Sequence, residues 1–259
     1  METDRQHAPL ISIVTVTFNA ASVLEPTMES VRRQTFQDYE HIIVDGGSPD
    51  TTLAIASRYS GTHVSIHSRP DSGIYHGMNR GLKHASGKYV LFLNAGDRFA
   101  DEKTLARYAE GCREGMDIIY GETLVVDGDG NVLRPRHHSV PAVLTLRSYL
   151  GGMLVCHQAF MVRRAIAPAY SREFRLSADY EWCLACIERS ALIRRLNLNA
   201  VTIHYLEGGM SQKKKMASLR ERFVIMKRRF GLLPTLRAHL ALLPAALKRR
   251  VGAEGWHKA

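Results

Sequence analysis

The run VLFLNAGD, from Val90 to Asp97, limits most tightly what this chain can become. An unbroken apolar stretch stops in Asn94, Ala95, Gly96 and Asp97. A strand with no polar alternation has no solvated face, so it reads as a buried parallel strand that leaves Asp97 at the carboxyl edge of its sheet. Open α/β sheets take their ligands at that edge. Three earlier runs end alike: LISIVTVT in Phe18 and Asn19, HIIVD at Asp45, and HVSIHS in Arg69, Pro70 and Asp71. Four polar tips are therefore expected around one crevice.

From Leu10 to Asp97 strands alternate with helical segments, the strands over 10–17, 40–45, 63–68 and 89–94 and the helices over about 22–34, 51–59 and 74–85. This rhythm predicts an α/β fold with a mostly parallel central sheet flanked by helices. After Asp97 it weakens to a helix near 102–114 and two strands, IIYGETLVVD and NVLRPR. Asp127 to Asn131 begins like a calcium loop, but Val132 replaces the required Gly and His138 the bidentate Glu, so a hairpin turn is predicted. Leu176, Tyr180, Cys183, Leu184 and Ile187 recur at helical spacing, which predicts a helix over about 178–189. Ser177 would cap it, with Asp179 in its first turn.

With 259 residues, 45% of them hydrophobic and 23% charged, the chain can bury a large core and does not read as disordered or fibrous. Four cysteines give no disulfide framework, and Cys183 and Cys186 lack a second pair at zinc-like spacing, so buried thiols are expected. The opening METDRQHAPL has no apolar core of a signal peptide, from which a cytoplasmic location is expected. The net charge of +10 is uneven: between Ser211 and Arg250 twelve Lys or Arg face one acid, Glu221, and the preceding part is near neutral. The apolar run LLPTLRAHLALLPAAL carries Arg237 and His239 and falls short of a spanning helix, but it suits the surface of a membrane.

Neither common phosphate device is present. No GxGxxG follows the first strand, and Gly81 to Lys88 misses a P-loop by one residue of spacing, with Tyr89 in place of Ser or Thr. The remaining possibility is a site where carboxylates meet phosphates through a divalent cation, Mg²⁺ or Mn²⁺, which wants few protein acids plus phosphate and water oxygens. Asp97 suits that task, although a lone Asp there would equally cap a helix.

The blocks SIVTVTFNA, QTFQDYEHIIVDGGSPDTT, RPDSGIYHGMNRGLKHASGKYVLFLNAGD, CHQAFMVRR, SADYEWCL and EGGMS resemble, in order, the family 2 glycosyltransferases, which have the GT-A fold. Within that family the chain is most similar to bacterial enzymes of exopolysaccharide and cell-wall glycolipid assembly. The resemblance covers about Leu10 to Ser211 and leaves out the tail. It implies a nucleotide-sugar-binding half over 1–98, an acceptor-binding and catalytic half over 99–210 and a basic amphipathic tail over 211–259.

By this resemblance Thr17, Asn19, Asp45, Arg69 and Asp71 hold the base and ribose of a nucleotide-sugar donor, supported by Asn79 and Asn94. Asp97 matches the last acid of the metal-binding DxD-like motif, while Ala95 stands in place of the first. Asp179 matches the general base of inverting members, which takes the proton of the acceptor hydroxyl as the new bond forms. His157 and Gln158 fall in the HQA segment and either touch sugar or form a buried hydrogen-bonded pair. His204 is a candidate further metal ligand. Gly208 and Gly209 would permit a flap carrying Lys213 to Lys215 over the diphosphate. The acceptor implied is lipid-linked or a growing glycan.

The basic tail is expected to hold the enzyme peripherally on the inner membrane face, since each Lys or Arg gains roughly 1 kcal/mol beside anionic lipid. Two other readings compete with the glycosyltransferase. A sugar-1-phosphate nucleotidyltransferase would need a Gly-rich basic N-terminal loop, which Thr17 to Ser22 does not supply. A nucleic-acid binder using the tail would lack aromatic residues for stacking, so no specific nucleic acid is expected.

Overall fold

The computed structural model describes residues 8–136, 140–208 and 214–240. Its first half follows the predicted alternation. Strands β1 (Ile11–Thr17), β2 (Tyr39–Asp45), β3 (Val64–Ser68) and β4 (Tyr89–Phe92) are joined through helices α1 (Leu24–Arg32), α2 (Thr52–Ser57) and α3 (Ile74–His84). They lie in the order β3-β2-β1-β4, all parallel. Every residue of β1 and β4 is buried, as the unbroken apolar runs require.

The second half extends the same sheet. It comprises β5 (Arg98–Phe99), α4 (Thr104–Arg113), β6 (Ile118–Val126), β7 (Val132–Pro135), β8 (Phe160–Arg163), α5 (Ala178–Glu188), β9 (Arg195–Leu206) and α6 (Lys215–Phe230). Strand β8 is antiparallel to both β4 and β6, whereas β6 runs parallel to β9, and β5 closes the edge. Most of the ladder is parallel. The β6–β7 connection is the predicted hairpin turn: Asp127 Oδ1 accepts from the Asn131 N–H at 2.9 Å and Oδ2 from its side chain at 3.0 Å, which occupies the carboxylate without calcium.

The two faces of the sheet divide the core. Val14, Val16, Val90 and Phe92 pack with α3, α5 and Ile225 and Met226 of α6, while Ile11, Ile13, Tyr89 and Leu91 pack with α4. The first part of the basic tail is thus docked on the body. Its one acid holds it there, because Glu221 accepts from the backbone N–H groups of Arg175 at 3.0 Å and Leu176 at 2.9 Å. Ser177 precedes α5 as expected but makes no side-chain cap; its hydroxyl turns to Ser218 of α6 instead. Cys112, Cys156, Cys183 and Cys186 are free, buried thiols. No helix among the described residues is long and apolar enough to cross a membrane.

Helix α3 lies unusually close to β1. A Cβ on Gly81 would stand 2.2 Å from Cγ1 of Val14, and one on Gly77 would stand 3.3 Å from Cγ1 of Val16. The glycines one turn apart are what let this helix approach the strand. Gly81→Ala is therefore expected to destabilise the fold by about 1–3 kcal/mol through overpacking, more than the helical preference of Ala returns. Urea denaturation would read the change as a lower midpoint.

Candidate active site

A cavity of about 800 Å³ opens where β4, β6 and β9 end and where α3, α5 and α6 begin. Asn94 and Asp97 enter it from the end of β4, His157 and Gln158 from the turn before β8, and Asp179 from the first turn of α5. Five of the expected site residues, drawn from three separate parts of the chain, thus share one space. Arg134, Arg136, Arg175, Lys215 and Arg222 line the same wall. Among the described residues, Arg136 Nη1 and Arg222 Nε are buried N–H groups with no protein acceptor. Unmet cationic donors beside a cavity suit an anionic ligand.

Asp97 is 4% exposed. Its Oδ1 accepts from the Leu206 N–H at 2.9 Å and its Oδ2 from the Gln158 side chain at 2.5 Å. Burial nevertheless dominates and pushes the carboxyl from 3.8 up to about 7, against the opposing effects of those donors and of Arg136. Three residues earlier, Asn94 Oδ1 is buried with no partner among the described residues. Asp97 and Asn94 are the hard oxygen donors a magnesium or manganese ion would find here, the remainder coming from phosphate and water. No cluster of three or more His, Cys, Asp or Glu exists among the described residues, and Ala95 adds no donor. His204 does not join them: it is absent from the cavity wall and sits on β9 opposite Arg98 and near Asp101, where burial and the Arg98 charge lower its pKa.

Asp179 projects from the first turn of α5, and its Oδ1 accepts both the Tyr75 hydroxyl at 3.1 Å and the Tyr180 N–H at 2.9 Å. Tyr75 comes from α3 and is itself a wall residue of the cavity. His157 is buried, and burial lowers its pKa to about 4. Its Nε2 is hydrogen-bonded to the Tyr170 hydroxyl and its ring stacks on Phe92. Gln158 is bound by Asp97 on one side and by the Cys156 thiol, at 2.9 Å, on the other. The buried-pair reading of the HQA segment therefore has a basis in these contacts, and both residues also reach the cavity.

Thr17, Asn19, Asp45, Arg69 and Asp71 are not among the residues lining this cavity; they lie at or just after the ends of β1, β2 and β3. Asp45 is buried and saturated: Thr17, Ser48 and Ser68 donate their hydroxyls to it, and Gly47 and Ser48 their N–H groups. Its task in this structure is to shape the 46–48 loop, which in turn anchors the left-handed Asn19 (φ 51°) through Ser48 Oγ to the Asn19 N–H at 2.9 Å. Asn19 and Arg69 are exposed there. Asp71 accepts from the Gly73 N–H at 2.9 Å and packs against Gly46 and Gly77. Asn79 faces elsewhere, clasping Tyr170 by both its N–H (2.7 Å) and its C=O (2.9 Å). Arg80, which no motif singles out, is buried and donates to the carbonyls of Asp45, Arg69 and His67, tying two strand ends together.

A carboxyl whose folded-state pKa lies above its unfolded one binds a proton more tightly in the native state, so it costs stability increasingly as pH rises from about 4 to about 7. Metal-free Asp97→Asn protein is therefore expected to melt a few degrees higher than the parent at pH 8, with the gap closing toward pH 4. Thermal unfolding at stepped pH checks this.

Comparison with known proteins agrees with the geometry. The Glycosyl transferase family 2 model matches residues 12–170. A PGL/p-HBAD biosynthesis glycosyltransferase of Mycobacterium bovis is 36% identical over 214 residues, covering 79% of this chain and 80% of that protein. Among solved structures, S. aureus TarS 1-349 in complex with UDP-GlcNAc superposes with a TM-score of 0.66 at 19% identity, over 84% of this chain and 66% of that one. Glucosyl-3-phosphoglycerate synthase from Mycobacterium tuberculosis, in complex with Mn²⁺, UDP and glucosyl-3-phosphoglycerate, gives a TM-score of 0.58 at 16% identity, over 85% and 80%. The sheet is that of the GT-A fold, and the chain belongs to the family 2 glycosyltransferases.

Proposed function

We propose that the enzyme inverts configuration as it transfers a sugar from a nucleotide-diphosphate donor to a hydroxyl of a lipid-linked or growing glycan acceptor, with a divalent metal at Asp97. The observation that carries this reading is the presence of Asp97 and Asp179, 82 residues apart in sequence, on the wall of one cavity. Two carboxylates in one site can divide the work when their surroundings differ. Asp97 is buried at a strand end beside Arg136 and would hold the cation through its carboxylate together with Asn94 Oδ1. Asp179 stands on a helix first turn and would take the proton of the acceptor hydroxyl.

When bound, the metal supplies positive charge to the departing diphosphate. Arg136 and Arg222, with buried N–H groups awaiting an acceptor, would add to that charge. The ends of β1 to β3 would take the base and ribose, with Asn19 and Arg69 as the exposed contacts and Asp45 and Thr17 as their support. The family relatives named for PGL/p-HBAD biosynthesis support a glycolipid acceptor.

Donor choice is read by thermal shift with a panel of UDP-, GDP- and dTDP-sugars and Mn²⁺, because a ligand that binds only the folded state raises its melting temperature. With the donor so selected, Asp179→Asn is expected to lower turnover by roughly 10²- to 10⁴-fold with donor binding retained. Asp97→Ala should instead remove the metal-dependent part of the shift. Full turnover in both variants would reject the division of roles.

Membrane attachment belongs to the same reading. Ile225 and Met226 of α6 are spent on the core, but Met216, Leu219 and Val224 of the same helix are between 37% and 68% exposed, and the helical stretch over 232–240 leaves Leu232, Leu233, Leu236 and Leu240 between 40% and 69% exposed, beside the exposed Arg237. Residues 241–250, with three further cations, lie outside the described part. Leucines that meet no core beside cations suit the boundary of an anionic bilayer. Cosedimentation with vesicles rich in phosphatidylglycerol at low salt is expected, and a Leu233→Asp, Leu236→Asp double variant should lose most of it. Recovery of the parent only in the supernatant would reject attachment.

A further inference from the structure

Asp179 receives both of its protein hydrogen bonds on one oxygen. The Tyr75 hydroxyl and the Tyr180 N–H converge on Oδ1, and no donor among the described residues reaches Oδ2. The second oxygen is thus left as the acceptor on a carboxylate that lines the cavity. The Tyr180 N–H is fixed by the helix itself. Tyr75 is the tertiary contact, and among the described residues it alone ties the orientation of the carboxylate to another element by a hydrogen bond.

Tyr75 is well placed to impose that orientation. It is 9% exposed, and its ring stacks on Tyr170 at 5.8 Å between centroids with an interplanar angle of 18°. Tyr170 is held in turn by its stack on Trp182 at 4.9 Å, by the His157 ring nitrogen at its hydroxyl and by the double clasp of Asn79 on its backbone. Tyr75 and Asn79 stand one turn apart on α3, so a single rigid helix sets both contacts. A hydroxyl held this way donates without having to be ordered as the reaction proceeds.

We infer that Tyr75 is the positioning residue of Asp179, fixing Oδ1 so that Oδ2 is the atom that receives the acceptor's proton. The inference rests on the proposed role of Asp179 as base. In that step the acceptor oxygen bonds the anomeric carbon, its proton passes to Oδ2, and the bond from the anomeric carbon to the diphosphate oxygen breaks with its electron pair leaving on the diphosphate. Tyr75 itself exchanges no proton: burial first, then the charge of Asp179, pushes its hydroxyl far above the usual tyrosine range, so it stays a neutral donor. Among the other ionisable groups on the same wall, His157 from the turn before β8, Arg175 ahead of α5, and Lys215 and Arg222 on α6 make no hydrogen bond to the Asp179 carboxylate. None of them can replace the hydroxyl of Tyr75 in this arrangement.

The test is Tyr75→Phe, which keeps the ring and its stack on Tyr170 and removes only the hydroxyl. Release of nucleoside diphosphate is followed with the donor selected by thermal shift, both in water alone and with a series of octyl glycosides as acceptors. The expected result is a roughly ten- to thirty-fold lower kcat in whichever reaction the parent catalyses, a donor KM within about twofold, and an unchanged melting temperature with and without donor. In an Asp179→Asn background the same change should cost nothing further, because one interaction cannot be lost twice. A full kcat in Tyr75→Phe, a rise in KM alone, or losses that multiply in the double variant would each overturn the inference while leaving Asp179 as base. Full turnover in Asp179→Asn would instead remove the base and the inference with it.

Discussion

The close approach of α3 to β1 is the constraint on which the site depends. Two glycines one turn apart bring the helix within methyl distance of Val14 and Val16, and no larger residue fits at Gly81 without displacing the strand. From that fixed seat the helix sends out three side chains with different targets. Arg80 reaches back to the carbonyls at the ends of β2 and β3, Asn79 clasps Tyr170, and Tyr75 meets Asp179. The strand ends and the first turn of α5 are distant in sequence, yet their spacing is set through this one helix. A displacement of α3 would therefore alter both halves of the site together.

The two acids of the cavity illustrate how location divides chemistry. Asp97 lies in the turn between β4 and β5 and receives two N–H donors, yet desolvation outweighs them and makes its charge costly. A buried carboxylate of this kind is poised to gain from a cation, which would supply the opposing charge that the fold withholds. Asp179 instead lies in the first turn of a helix, and one of its oxygens receives no donor among the described residues. The surrounding arginines shift the balance of the wall toward positive charge, which suits the diphosphate of the proposed donor.

Much of this is legible in the sequence because the parallel strands are marked by unbroken apolar runs and sharp polar ends. The run to Asp97 and the helical spacing that puts Asp179 in a first turn locate both acids of the cavity from residue order alone. Other parts carry no such mark. Strand β8 is four residues long and β5 two, too short for periodicity to register, while β9 mixes Asn, Thr and His among its apolar residues because only part of it is buried. Arg80 looks like any helical cation in sequence, since what makes it structural is its burial under loop carbonyls, a tertiary fact. The same holds for Asp45 and Asn79: the motif identifies them, but only packing shows that their polar atoms are consumed by the protein itself.

The basic tail shows the limit of charge counting. By sequence the twelve cations against a single acid between Ser211 and Arg250 mark a basic tail set apart from a near-neutral body. The single acid is the informative residue, because Glu221 bridges the N–H groups of Arg175 and Leu176 just ahead of α5, and Ser218 meets Ser177 beside it. Of these two N–H groups that of Leu176 is part-buried, and the helix that satisfies them also brings Lys215 and Arg222 to the cavity wall. The start of the tail is thereby part of the enzyme's floor, and the stretch after α6 carries further exposed leucines that no core cluster takes up. The element whose Glu221 and Ser218 meet the chain just ahead of α5 thus continues, past the left-handed Gly231, into the exposed leucines of 232–240.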